Sequence, residues 1–365
     1  MGSSSLQPRE TVGPIAIDAM GGDRGPAEVV AACKLALQEG LICKELILVG
    51  DEAILTPLLK EEGLEDHPQL RVYHASQVIG MEEKPIQSLR QKKDASMVRA
   101  LELVKADQAE AVLSCGNTGS LMAGGTLKLR PMSGLERPAL ATVIPSRDHR
   151  FILLDVGANP DSSPEHLVHN AILGSCYCEI ALGIKRPRVG LLTIGTEEFK
   201  GTDRIQKTHD LLKSLEGIIH YEGLIEGFQL FNNEIDVVVC DGFTGNVLIK
   251  SWESLILNMG AYIKDNLKQS IWGKLGALLA SGAARKLKKE LSPEGYGGAP
   301  LLGLQGTVLK AHGSSNRHSL KSAIRMAQDM VQQNMVKHIE ESLTEASQRL
   351  EAAQADTPCK QNAFN

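Results

Sequence analysis

Aromatic side chains make up only 4% of the 365 residues, too few for the aromatic-anchored core of a typical β-sandwich. No run of about 18 apolar residues occurs, so no segment reads as a membrane-crossing helix. No Cys-x-x-Cys pair occurs either, and Cys176 and Cys178 are too close together for a zinc knuckle. The seven cysteines are odd in number and scattered, the pattern of reduced thiols in a cytoplasmic protein. Excess positive charge is also missing: the formal net charge of −5 argues against general nucleic-acid binding. There is no internal repeat and no low-complexity tract. The polar stretch 1–12 lacks the apolar segment of a secretory signal and is expected to be a disordered tail. The same is expected of residues 351–365.

What is present is a globular composition, 42% apolar and 23% charged with 35 glycines. It favours an α/β enzyme, built here as one domain over residues 13–350. Six times, a short apolar run ends in a Gly-rich polar loop. The loops are Asp18-Ala19-Met20-Gly21-Gly22-Asp23, Ser114-Cys115-Gly116-Asn117-Thr118-Gly119, Asp155-Val156-Gly157-Ala158-Asn159, Thr193-Ile194-Gly195-Thr196-Glu197-Glu198, Cys240-Asp241-Gly242-Phe243-Thr244-Gly245-Asn246 and His312-Gly313-Ser314-Ser315. Continuous apolar runs are the mark of buried parallel strands, and ligands sit where such strands end. Glycine allows a tight turn and close approach to an anion, and the following helix offers free N–H groups. Together the loops predict one site for a phosphate-bearing substrate.

Between them the pattern predicts helices over 26–39, 95–106, 117–128, 164–183 and 203–214. Residues 140–145 and 151–155 are separated only by a polar turn, so an antiparallel hairpin and a mixed sheet are expected. Residues 77–93 read as a polar loop or lid. Residues 315–350 read as a long, mostly surface helix with a single break. After Val247 a long helix is followed by Ile271, Trp272, Leu275, Leu278 and Leu279 on one face. Seven basic residues and one acid lie between Lys264 and Lys289. A basic helix with an apolar face and a Trp suits a membrane interface. A helical hairpin over 247–290 in a dimer interface is the equally open, compatible reading.

These loops, with Gly297-Gly298-Ala299-Pro300-Leu301-Leu302-Gly303, resemble in order the bacterial phosphate acyltransferase family, the acyl-carrier-protein:phosphate transacylases of phospholipid synthesis. The resemblance runs from about Gly13 to Leu350. It implies a three-layer αβα fold with a mostly parallel mixed sheet, like the isocitrate and isopropylmalate dehydrogenases. It also implies a homodimer, no cofactor, and a cytoplasmic, peripherally membrane-associated enzyme. The implied reaction is acyl-ACP plus inorganic phosphate giving acyl phosphate and free ACP, and a downstream glycerol-3-phosphate acyltransferase is a candidate partner. The family usually carries a small residue such as Ala at Cys115.

The residues fit that chemistry. Phosphate is already a nucleophile and a thiolate leaves readily, so positioning and oxyanion stabilisation are what the protein must supply. Lys200 can neutralise the phosphate or the oxyanion. Asn246, at a helix start, can donate its amide to the oxyanion. The plainer readings are a solvated lysine and a helix cap. Gly21, Gly22, Asn117, Thr118 and Gly119 are candidate phosphate binders through backbone N–H groups, against simple turns. His312, Ser314 and Ser315 are candidates at a helix N-terminus, against a cap and a packed histidine. Asp18, Asp23, Asp155 and Asp241 suggest a metal only weakly, since such carboxylates also cap helices, and no metal is expected. Cys115 as an acyl-carrying nucleophile lacks a paired histidine, and no Gly-x-Gly-x-x-Gly supports a dinucleotide. An acidic carrier protein or anionic lipid needs basic contacts. Candidates are Arg90, Lys92, Lys93, Lys274, Arg285, Lys286, Lys288 and Lys289, with Ile271, Trp272 and Leu275 as the apolar face. A phosphotransacetylase-like enzyme using acyl-CoA and a non-catalytic membrane module remain the alternatives.

Overall fold

The computed structural model describes residues 9–41, 43–195, 201–282 and 297–355, with backbone alone at Ile271 and at 353–355. Chain order is β1 (Ile15–Asp18), α1 (Pro26–Gln38), β2 (Leu46–Gly50), α2 (Glu52–Glu62), β3 (Leu70–His74), α3 (Pro85–Gln91), α4 (Ser96–Lys105), β4 (Ala111–Ser114) and α5 (Thr118–Lys128). Then follow β5 (Ala139–Pro145), β6 (Arg150–Leu154), α6 (Pro164–Leu182), β7 (Arg188–Thr193), α7 (Asp203–Ser214), β8 (His220–Glu226) and β9 (Val237–Val239). The chain closes with α8 (Gly242–Lys268), α9 (Ile271–Leu279), β10 (Ala299–Leu302), β11 (Thr307–Lys310), α10 (Arg317–Gln332) and α11 (Met335–Ala355).

One eleven-stranded sheet carries the order β3-β2-β1-β4-β11-β10-β5-β6-β9-β7-β8. It is mostly parallel; the antiparallel pairs are β11–β10, β10–β5 and the expected hairpin β5–β6. Side chains alternate between two cores. Ile15, Ile17, Leu46, Leu48, Ile152 and Leu154 pack with α1, α2, α6, α10 and α11 on one face. Ala16, Ile47, Val49, Phe151 and Leu153 pack with α4, α5 and the start of α8 on the other. Strands buried on both faces must be apolar at every position, which is why the runs were legible.

Four expectations are corrected. The 77–93 lid contains α3, because Pro85 sits where a first-turn proline is tolerated. Strands β8 and β10 were not foreseen. The first is a polar edge strand carrying Gly223 at φ 120°, and the second holds Pro300, which reads as a turn signal. The terminal helix has its expected single break, at Asn334 with φ 51°. It is not mostly surface: Leu320, Ala323, Ile324 and Ala327 are buried, and α11 runs on to Ala355 beyond the expected domain end. Helix α8 starts at Gly242 rather than Val247, capped by Asp241, whose side chain accepts from the Thr244 N–H.

Helix α8 has 27 residues, roughly 40 Å at 1.5 Å per residue. Only its first turns meet the body, where Trp252 packs edge-on against Phe231 at 5.1 Å. Beyond that Leu255, Ile256, Leu257, Met259, Tyr262 and Ile263 are exposed, so α8 and α9 form the expected protruding hairpin.

Helix α11 is held to α6 by His338, whose Nε2 lies 3.0 Å from Glu179 Oε2. The Cys176 sulfur and the Glu179 carboxylate raise its imidazole to about 10. A raised folded-state value stabilises fully below the unfolded value of about 6.5 and is lost as pH rises toward 10. The gap in thermal midpoint between the wild type and His338→Gln should therefore be widest near pH 6 and close by pH 10. A gap that widens with pH would show that the pairing is not ionic.

Candidate active site

The loops gather in two groups, because the strands that end in them run in opposite directions. Strands β1, β4 and β11 are mutually parallel, so loops 18–23, 114–119 and 311–316 leave one edge of the sheet. Strands β6, β9 and β7 are parallel to one another but reversed by the β5–β6 hairpin. Loops 155–159, 240–246 and 193–195 therefore leave the other edge. Six strand steps separate β1 from β9. An ordinary twist of roughly 20–25° per step would accumulate to about 120–150°, enough to turn the two ends toward the same side. Among the described residues no backbone hydrogen bond joins the groups, so the expected site draws on two loop clusters.

The first group is organised by Asp18. Ser96 Oγ donates to its Oδ1 and Ser114 Oγ to its Oδ2, both at 2.6 Å. Ser114 Oγ in turn accepts from the Gly116 N–H at 3.0 Å. Burial pushes the Asp18 carboxyl up, against these hydrogen bonds. A Cβ on Gly21 would stand 2.5 Å from Asp18 Oδ2 and 2.8 Å from the Gly116 backbone, so close approach of two loops explains that glycine. Asp23 N–H donates to the Gly313 carbonyl at 2.9 Å, and Arg24 Nε donates to the Ser314 carbonyl at 2.7 Å. These bonds knit the third loop to the first. The His312 ring Nδ1 lies 2.8 Å from Ser314 Oγ, and Ser315 is buried.

Asn117 is the cap of α5: its Oδ1 accepts from the Ser120 N–H, while its Nδ2 donates to the carbonyls of Met81 and Glu83. Its side chain is therefore committed to holding the 77–95 strap against α5, and Thr118 and Gly119 open the helix. A Cβ at Gly119 would lie 2.7 Å from Pro85 Cγ, so that glycine admits the strap. Lys92 is tied within the strap to Glu83 and the Val78 carbonyl and is not free to dock a partner, whereas Arg90 and Lys93 are exposed. Cys115 is 3% exposed, and burial pushes its thiol up to about 12. It is a neutral thiol near pH 7, unsuited to nucleophilic attack. Sequence reasoning missed Lys310, at the end of β11, which is only 8% exposed. A lysine closing an apolar run was the available signal.

In the second group Asp155 accepts from the N–H groups of Gly157, Ala158 and Asn159 and from Asn159 Nδ2. Those bonds wind the 155–159 loop around the carboxylate, although burial pushes it up. Asp241 caps α8 and receives Arg204 Nη2 at 2.7 Å. Asn246 stands in the opening turns of α8, exposed and beside Gly157, and its amide forms no hydrogen bond among the described residues. With Asp241 as the cap, Asn246 is left with its donors free. Lys200, Arg285, Lys286, Lys288 and Lys289 lie outside the described residues, as does the side chain of Ile271. Trp272, Lys274 and Leu275 are exposed on α9, remote in sequence from both loop groups.

A profile described as fatty acid synthesis protein matches residues 14–338. A phosphate acyltransferase of Heliobacterium modesticaldum is 44% identical over 329 residues, covering 90% of this chain and 97% of its own. One of Pseudomonas aeruginosa is 45% identical over 321 residues, covering 88% and 95%. Among solved structures, a phosphotransacetylase from Streptococcus pyogenes aligns with a TM-score of 0.57 at 16% identity, over 89% of this chain and 95% of its own. One from Staphylococcus aureus aligns at 0.56 and 16%, over 89% and 96%. At that identity the likeness is one of fold.

Gly21→Ala should cost about 1–3 kcal/mol, the usual penalty for overpacking a closed contact. Urea unfolding measures it; an unchanged midpoint would show that the first two loops are not in fact closed on one another.

Proposed function

Because the chain belongs to the fatty acid synthesis protein family that includes the phosphate acyltransferases, we propose that it transfers a long-chain acyl group from acyl-carrier protein to inorganic phosphate. The match over residues 14–338 carries this reading. A phosphate oxygen attacks the thioester carbonyl, forming the new C–O bond. The carbonyl oxygen becomes an oxyanion, and its collapse expels the carrier thiolate, which takes up a proton. Nothing in this sequence requires a side-chain nucleophile, in keeping with the neutral Cys115 thiol.

The loop groups divide the labour. The first, with the N-terminus of α5 and the backbone N–H groups of Gly22, His312 and Gly313, suits the phosphate. The second presents the free amide of Asn246 to the developing oxyanion, with Lys200 supplying positive charge. An ordinary sheet twist would let one thioester reach both. The exposed apolar length of α8 is the surface through which a homodimer forms, and α9 is the tip that touches lipid. On α9, Trp272 is 82% and Leu279 80% exposed, with Lys274 alongside for anionic headgroups. A peripheral contact suits a product with a long apolar tail. Arg90 and Lys93 on the strap suit an acidic carrier protein.

The deciding assay is phosphate-dependent formation of acyl phosphate from palmitoyl-ACP, trapped with hydroxylamine, without added nucleotide. Asn246→Ala and Lys200→Ala should each lower turnover about 100-fold, as for loss of one preorganised oxyanion partner. Near-normal turnover in a folded variant rejects the assigned role. Turnover with acetyl-CoA but not with palmitoyl-ACP would favour the CoA-linked alternative. Replacing Trp272 and Leu275 with Glu should abolish sedimentation with anionic liposomes and spare turnover in detergent; unchanged sedimentation would assign the hairpin to the dimer alone.

A further inference from the structure

Lys310 is an ammonium group at the end of a central strand, and burial of such a charge is costly unless something compensates it. Strand β11 lies between β4 and β10, and each of its residues is buried. The Lys310 Nζ donates to the Ala311 carbonyl and, at 3.4 Å, to the Cys115 carbonyl. Among the described residues no carboxylate comes within ion-pairing distance of it. Asp18 and Asp23 are the nearest acids acting on it. The Asp18 oxygens are already turned to Ser96 and Ser114, with burial favouring its neutral form, and the Asp23 carboxylate lies over Gly313. Burial pushes the Lys310 ammonium down from its ordinary range, and only two backbone carbonyls among the described residues hold a side chain that has three donors when charged.

A staple between β4 and β11 would need only a neutral donor. A charge costs more, and here it stands where loops 18–23, 114–119 and 311–316 meet. The backbone N–H groups of Gly22, His312 and Gly313 find no protein acceptor among the described residues, and neither does that of Thr118 at the opening of α5. Donors without acceptors around a cation without a counterion form the complement of a small oxyanion.

We propose that Lys310 is the buried counter-charge that captures inorganic phosphate in the first loop group, with the N-terminus of α5 and the backbone of loops 18–23 and 311–316 as its further donors. This deepens the transferase reading and rests on it for the identity of the anion. Lysine acts here as a compact point charge, whereas arginine would present its charge as a planar fork and so place it differently.

The test is direct binding of inorganic phosphate, by calorimetric titration of the full chain without acyl donor, alongside steady-state kinetics. Lys310→Gln should weaken phosphate binding at least about tenfold, as expected for a charge-assisted contact. The KM for phosphate should rise in parallel and the KM for palmitoyl-ACP should stay within about threefold. A folded Lys310→Gln that binds phosphate like the wild type overturns the inference, and so does a variant that loses only kcat. Should Lys310→Gln not fold, Lys310→Arg serves: it keeps the charge but displaces it, so phosphate affinity must shift at least about threefold, and an unchanged affinity overturns the proposal. A wild type that binds phosphate through Lys310 yet forms no acyl phosphate would leave this site standing and reject the transferase reading instead.

Discussion

Between Ala139 and Leu154 the chain doubles back through a short polar turn, and β7, β8 and β9 follow the new direction. Strand β11 then returns to the centre of the sheet in the original sense, parallel to β4. Because loops useful for binding follow the carboxyl ends of strands, this one reversal sorts them onto two edges. The ordinary twist of so wide a sheet would then turn those edges toward a common side. A flat sheet with the same hydrogen bonds would hold the two groups apart.

Within each group an aspartate near a strand end does the organising, and neither needs a metal to explain its position. Asp18 collects two serine hydroxyls from α4 and β4, so it fixes where the 114–119 loop can run. Asp155 collects the backbone of its own loop and the side chain of Asn159, which also reaches the Pro138 carbonyl before β5. Both carboxyls are buried at a cost that their hydrogen bonds offset. The second group differs at Asn246, whose amide has no hydrogen-bond partner among the described residues while Asp241 caps α8. That division of tasks between two residues five apart separates a structural role from an available one.

The hairpin α8–α9 stands apart from this architecture. Its exposed Leu, Ile, Met, Tyr and Trp side chains form a surface much larger than single apolar residues scattered over a globular protein. It is the surface on which the proposed dimer and lipid contacts rest. The 77–95 strap is its opposite, since its Ile79 and Ala95 form a small core with Val98 of α4 and it is stitched to α5 by Asn117.

The apolar runs, the Gly-rich loops, the antiparallel hairpin and the protruding helices were all legible from the sequence, because each depends on a pattern within a few neighbouring residues. Ile15 to Ile17 and Val237 to Val239 could only be strands buried on both faces, and the order of the motifs carried the family resemblance. Local pattern could not show that the loops part into two groups, since strand direction is set by pairings between residues far apart in the chain, such as Ile15 with Ala111 and Thr307 with Ala111. Nor could it separate Asn117, whose amide is spent on Met81 and Glu83, from Asn246, whose amide is free. Strand β10 was hidden because Pro300 between glycines looks like a turn until neighbours on both sides complete its ladder. Lys310 belongs to the same class: its charge was visible in the sequence, but its burial between Cys115 and Ala311 exists only once three distant loops have closed around it.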